Sequence, residues 1–124
     1  MRVIISNTSN EPIYNQITNQ IKAEIIKGEL EEGELLPSIR GLAKDLQISV
    51  ITTKRAYDEL EKEGFIQTVP GKGSYVAIQN KELMREKKLK IIEEKLTQIV
   101  EESKLMGFSY EDINEMLKIL FQEV

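Results

Sequence analysis

Two short apolar-patterned stretches, each opened by a serine and separated by about three residues, constrain this chain most. Ser38 precedes Ile39, Leu42, Ala43 and Leu46, which share one face of a helix ending near Gln47. Ser49 precedes Thr53, Ala56, Tyr57 and Leu60, which share one side of a second helix that Gly64 stops. A serine before an apolar-periodic run supplies the oxygen that the free N–H groups of a first helical turn need. Helices this short bury little alone, and so brief a connection makes them cross as a helix-turn-helix. Two β-prone runs follow, 65–69 and 74–78, joined by Pro70-Gly71-Lys72-Gly73. They predict a hairpin, and a helix-turn-helix followed by a hairpin is a winged helix.

On the N-terminal side, Pro12 suits the first turn of a helix whose stripe Ile13, Ile17, Ile21 and Ile25 repeats every four residues and ends at Gly28. The segment GELEEGELLP reads as a connecting loop. Near Gln79 the chain turns charge-dense and loses any strand pattern, which predicts a boundary between residues 1–79 and a helical tail, 80–124. In the tail, Leu89, Ile92, Leu96, Ile99, Ser103 and Met106 alternate by three and four, the spacing of a heptad seam, and Gly107 closes that helix. Ser109 and Asp112 resemble a capping box, ahead of a last helix faced by Ile113, Leu117, Leu120, Phe121 and Val124. The expected architecture is mainly α with a small β-hairpin wing: a winged helix-turn-helix followed by a two-helix C-terminal dimerisation tail.

Composition narrows the functions open to such a fold. The 124 residues include neither cysteine nor histidine, so disulfides, thiolate metal sites and the commonest general base are absent. No metal, no cofactor and no enzymatic activity are expected. The lack of a long apolar run or a signal-peptide core predicts a cytoplasmic protein with no membrane partner.

Formal net charge is −4, which taken globally argues against nucleic acid. Charge is nevertheless segregated along the chain. Residues 36–57 carry Arg40, Lys44, Lys54 and Arg55 against Asp45, whereas Glu29, Glu31, Glu32 and Glu34 crowd the preceding loop. Opposite its core stripe the third helix presents Ile51, Arg55, Asp58 and Lys62, flanked by Thr52 and Lys54. In a helix-turn-helix the first turns of the second helix reach base edges. Arg55 or Lys54 can donate to guanine, Thr52 can bond a base or phosphate, and Ile51 can pack on a thymine methyl. Ser38 and Arg40 suit phosphates, and a Gly-Lys-Gly tip at Lys72 and Gly73 allows close backbone approach to a phosphate or minor groove. Read singly, Lys54 and Arg55 are equally ordinary solvated charges balanced by Asp58 and Glu59 at i,i+4.

The stretch LPSIRGLAKDLQISVITTKRAYDELEKEGFIQTVPGKGSYV resembles the DNA-binding domain of the GntR family of bacterial transcription regulators. The shared pattern is Leu-Pro-Ser-x-Arg-x-Leu-Ala, then Ser-x-x-Thr, then a Gly-x-Gly wing. The preceding helix and the short two-helix tail resemble the YtrA-type subfamily. That resemblance implies a homodimeric regulator of double-stranded DNA, usually a repressor and often of transporter operons. It carries DNA contact to Arg40, Thr52, Lys54 and Gly73, while Val50 stands where several members have arginine. Residues and resemblance together make the expected DNA-binding set Ser38, Arg40, Ser49, Ile51, Thr52, Thr53, Lys54, Arg55, Lys72 and Gly73.

Two other functions compete. A winged helix can present its third helix to another protein instead of DNA, though basic residues on both helices and the wing go against it. A phosphate-binding loop at PGKGS fails twice, because Ile66 stands where glycine is required and Gly73 where Ser or Thr must follow the lysine. For the tail, pairing with a second copy is expected through Leu89, Ile92, Leu96, Ile99, Ile113, Leu117, Leu120 and Phe121, since a two-helix hairpin buries little. Two helices are also too few to enclose the roughly 300 Å³ of a typical effector pocket, which leaves an effector site at the dimer interface open.

Overall fold

The computed structural model describes residues 1–123, ordered as α1 (Ile13–Lys27), α2 (Ile39–Leu46), α3 (Val50–Lys62), β1 (Ile66–Val69), β2 (Gly73–Val76), α4 (Lys81–Leu105) and α5 (Tyr110–Glu123). Val124, expected on the last apolar face, lies outside the described residues. The chain forms two compact units, Met1–Arg85 and Glu86–Val124.

In the first unit, α1, α2 and β1 all pack on α3. Ile17, Ile21, Thr53, Ala56 and Leu60 are wholly buried, and Leu42, Ala43, Phe65, Ile66 and Val76 nearly so. Both serine caps form: Ser38 Oγ accepts from the Gly41 N–H at 3.0 Å and Ser49 Oγ from the Thr52 N–H at 3.1 Å. Between the two helices the chain turns at Gln47, whose φ of 57° is the left-handed value that lets the next N–H, that of Ile48, reach back to Ala43 O at 3.0 Å. Pro12 sits one position earlier than expected, as the N-cap of α1, while Gly28 closes that helix in the left-handed conformation.

The wing is shorter than the apolar runs implied, with antiparallel pairing from Ile66↔Val76 to Val69↔Gly73. The acidic segment before α2 is more than a connection. Gly33 N–H donates to Val76 O, Val76 N–H to Glu34 O and Leu36 N–H to Ser74 O, and Leu35 bridges Tyr75, so this segment pairs along the outer edge of β2.

A second feature without a periodic signature is the N-terminal arm. Arg2, Ile4 and Ser6 donate their N–H groups to Glu24 Oε1 at 3.1 Å, Gln20 Oε1 at 2.8 Å and Gln16 Oε1 at 2.8 Å. Alternate residues of the arm therefore meet every fourth residue of α1. The match is geometric: four helical residues rise about 6 Å and two extended residues about 6.6 Å.

Tyr57 locks α3 to the entry of α2, its hydroxyl donating to Pro37 O at 2.7 Å. Burial raises its pKa to about 12. The unfolded phenol ionises near 10, so the stability from the protonated folded form is complete below about pH 10 and falls progressively up to about pH 12. Tyr57→Phe should cost about 1–2 kcal/mol at pH 7 by orphaning the Pro37 carbonyl. Its denaturant midpoint should also lose less than the parent's between pH 10 and 12; an equal alkaline loss in both proteins contradicts this lock.

Candidate nucleic-acid interface

The face of α3 opposite its buried stripe carries the expected residues in its first two turns. Ile51 is 80% exposed, an outlay of apolar surface that core packing does not require, and its neighbour Val50 is 47% exposed. Val50, marked by the resemblance as standing where several family members have arginine, is thus an exposed apolar residue at the helix opening. Ser49 donates its hydroxyl proton to Thr52 Oγ1 at 2.9 Å, which leaves the Thr52 proton free to point outward. One expected member is withdrawn. Thr53 is wholly buried and its hydroxyl donates to Ser49 O at 3.0 Å, so it belongs to the core and cannot meet a ligand.

The basic residues differ in their surroundings. Lys54 pairs with Asp58 at 2.8 Å, the i,i+4 bridge expected of a solvated helix face. Exposed on both sides, such a pair contributes little and a phosphate can displace Asp58. Arg55 instead lies over the Tyr14 ring of α1, its guanidinium carbon 3.8 Å from the ring centroid. Among the described residues, Arg40, Arg55 and Lys72 form no ion pair. Ser38 and Arg40 stand at the opening of α2, where unpaired helix N–H groups also favour an anion.

At the wing tip, Lys72 N–H donates to Val69 O at 2.9 Å and closes the loop, leaving its exposed side chain at the turn. Gly73 has φ 114°, and a Cβ there would meet Leu35 Cδ1 at 3.2 Å. Its backbone conformation requires glycine, whereas the Leu35 side chain, exposed at its end, would have to give by only a few tenths of an ångström. Tyr14 and Leu35 are thus supporting residues that sequence reasoning missed, since each acts across a long separation in the chain.

In the second unit, α5 buries none of its described residues and α4 buries Ser103. Leu89, Ile92, Leu96, Ile99, Leu117, Leu120 and Phe121 are exposed, and Ile113 is half-buried. Met106 lies beyond the end of α4, in the turn that Gly107 closes. Ser109 and Asp112 form the reciprocal cap, Ser109 N–H reaching Asp112 Oδ2 at 3.0 Å and Asp112 N–H reaching Ser109 Oγ at 3.2 Å. Those bonds from Ser109 hold the Asp112 carboxyl below the usual carboxylate range. The two helices shape an open hollow of about 270 Å³, lined by Val100, Ser103, Lys104, Phe108, Ser109, Tyr110 and Ile113.

Residues 13–76 match the family of bacterial regulatory proteins, gntR family. The chain belongs to this family. It is similar to the HTH-type transcriptional repressor YtrA of Bacillus subtilis, with 36% identity over 97% of this chain and 92% of that protein. Among solved structures it is similar to YtrA from Sulfolobus acidocaldarius, a GntR-family transcription factor, at 39% identity and a TM-score of 0.59 over 77% of this chain and 97% of that one. A GntR family transcriptional regulator from Listeria monocytogenes gives 32% identity and a TM-score of 0.70 over 92% and 97%. This GntR protein is therefore a DNA-binding transcription regulator of YtrA type with a winged-helix fold, in a family of regulators rather than enzymes. Among its described residues no helix is long and apolar enough to cross a membrane, and no group of three or more acidic side chains is placed to hold a metal ion.

Gly73→Val should destabilise the wing by about 1–3 kcal/mol through backbone strain. The check is thermal unfolding together with the backbone shifts of residues 66–76; an unchanged melting temperature and unchanged shifts would show that the strain is absorbed.

Proposed function

We propose that this regulator is a cytoplasmic repressor that binds an inverted-repeat operator as a homodimer, α3 entering the major groove and the wing lying against the flanking backbone. The observation that carries the reading is the exposed face of α3, where apolar Val50 and Ile51, the Thr52 hydroxyl and two cations sit together with the acidic residues further along the helix. Arg55 and Lys54 suit guanine O6 and N7, Ile51 and Val50 suit thymine methyls, and Thr52 suits a base edge or phosphate. Ser38, Arg40, Ser49, Lys72 and the Gly73 backbone suit phosphates, which fix position without reading sequence. The name of the Bacillus relative supports repression. Control of a transporter operon rests on the family resemblance.

Division of labour follows the chain: residues 1–79 bind DNA and 80–124 join two copies. Supporting this is the exposed apolar surface of α4 and α5, more than a monomer keeps in water without a partner. Two pairs of helices brought together bury the seam through Leu89, Ile92, Leu96 and Ile99 against the face through Ile113, Leu117, Leu120 and Phe121. A two-fold dimer then meets two equivalent half-sites, and joining the modules makes the second binding event intramolecular.

Footprinting on DNA upstream of its own gene should reveal an inverted repeat. Leu96→Lys combined with Leu117→Lys should give a folded monomer that binds this site roughly 10²–10⁴-fold more weakly. A dimeric double variant, or an intact chain that sediments as a monomer at micromolar concentration, contradicts the tail interface. On the same DNA, Arg40→Ala and Lys54→Ala should each cost about 1–3 kcal/mol, and Lys72→Ala should lower the slope of log affinity against log salt by about one unit. Unchanged affinity in all three excludes this face.

A further inference from the structure

We propose that Tyr14 is a positioning residue for DNA binding, its ring holding the Arg55 guanidinium ready at the edge of the recognition face although Tyr14 lies outside the helix-turn-helix. The inference rests on the reading of the α3 face as the DNA surface. Its basis is the stack itself, with the guanidinium carbon of Arg55 3.8 Å above the centre of the Tyr14 ring. A planar guanidinium uses its face in such a contact and keeps its N–H edge for another partner. Among the described residues that edge makes no hydrogen bond or ion pair.

The neighbours of Arg55 show what the ring prevents. Glu59 lies four residues further along α3, the spacing at which a carboxylate captures an arginine, and Asp58 is occupied by Lys54. Bound to Glu59, Arg55 would be neutralised and drawn towards the acidic end of the helix. Over an aromatic ring it keeps its full positive charge. The stack also removes rotamer freedom before DNA arrives, freedom that a loose arginine would lose on binding.

Tyr14 is itself well placed to act as a fixed platform. It stands in the first turn of α1 beside the buried Ile17, and its carbonyl accepts the Thr18 hydroxyl at 2.8 Å. Helix α1 packs directly on α3. The Tyr14 phenol oxygen makes no hydrogen bond among the described residues, so the platform is the ring alone and phenylalanine can replace it.

The test is a binding cycle with the full-length chain and a duplex selected in vitro from a random-sequence pool, each variant first checked for an unchanged melting temperature. Tyr14→Phe should bind as the parent does. Tyr14→Leu should bind about 2–5-fold more weakly, the range expected for an exposed cation–π contact. Tyr14→Leu should add nothing once Arg55→Ala is present. Tyr14→Met, which keeps apolar bulk without a ring, takes the place of Tyr14→Leu if that variant is unstable. Full loss in Tyr14→Phe, no loss in Tyr14→Leu, or an equal loss with and without Arg55 overturns the positioning role. If Arg55→Ala and Tyr14→Leu are silent while Arg40→Ala or Lys54→Ala weakens binding, the positioning role fails and the DNA face stands. If Arg40→Ala and Lys54→Ala are silent as well, the DNA face itself is misassigned.

Discussion

The burial of one face of α3 decides most of this structure. Thr53, Ala56 and Leu60 are wholly removed from solvent and Tyr57 nearly so. Thr53 and Ala56 are small enough for neighbouring backbones to approach closely, and α1, α2 and β1 all close on this helix. With three elements on one side, the opposite surface has to remain in water. The exposed face of α3, where the proposed DNA contacts lie, is therefore a consequence of packing: its residues are the ones that cannot be accommodated inside. Ser49 completes the arrangement by satisfying the first turn through its own hydroxyl, so the exposed helix opening stays ordered without covering atoms.

An acidic protein that binds DNA poses an electrostatic problem, which the distribution of partners resolves. Several carboxylates are held in place by the scaffold. Glu24 receives the Arg2 N–H, Glu32 the Gln79 N–H, Glu61 the Thr68 N–H, and Glu63 pairs with Lys22. Arg40, Arg55 and Lys72, in contrast, are free of ion pairs among the described residues. Over distances shorter than a Debye length of about 8 Å, a phosphate senses those nearby cations more than the net charge. The formal charge of −4 thus says little about the surface that matters.

Much of this was legible in the sequence, for reasons that differ from element to element. The Ser38 and Ser49 caps, the isoleucine stripe of α1 and the Pro70-Gly71 turn are local signals, each set by neighbours within four residues. The reciprocal Ser109–Asp112 cap was visible for the same cause. What escaped is non-local. The arm on Gln16, Gln20 and Glu24 joins residues up to 22 apart through side-chain carbonyl and carboxylate oxygens, a pairing with no hydrophobic period. Leu35 meets Tyr75, and Arg55 meets Tyr14, only after the chain has folded back. Thr53 shows a subtler limit. The stripe through Thr53, Ala56, Tyr57 and Leu60 already put it on the core side, and its complete burial shows that this periodicity overrules the ligand-contact reading of a hydroxyl at a recognition-helix opening.

The central claim is that the openings of α2 and α3, with the wing tip, form one DNA-facing surface. Amide hydrogen exchange of the full chain, measured alone and with an excess of its footprinted operator, tests it directly. Slowed exchange in the unit 1–85 should concentrate at residues 38–41, 49–55 and 70–73, with the acidic stretch 29–34 unchanged. Protection spread over 29–34 with 38–41 and 49–55 unaffected would place the DNA elsewhere and contradict the account.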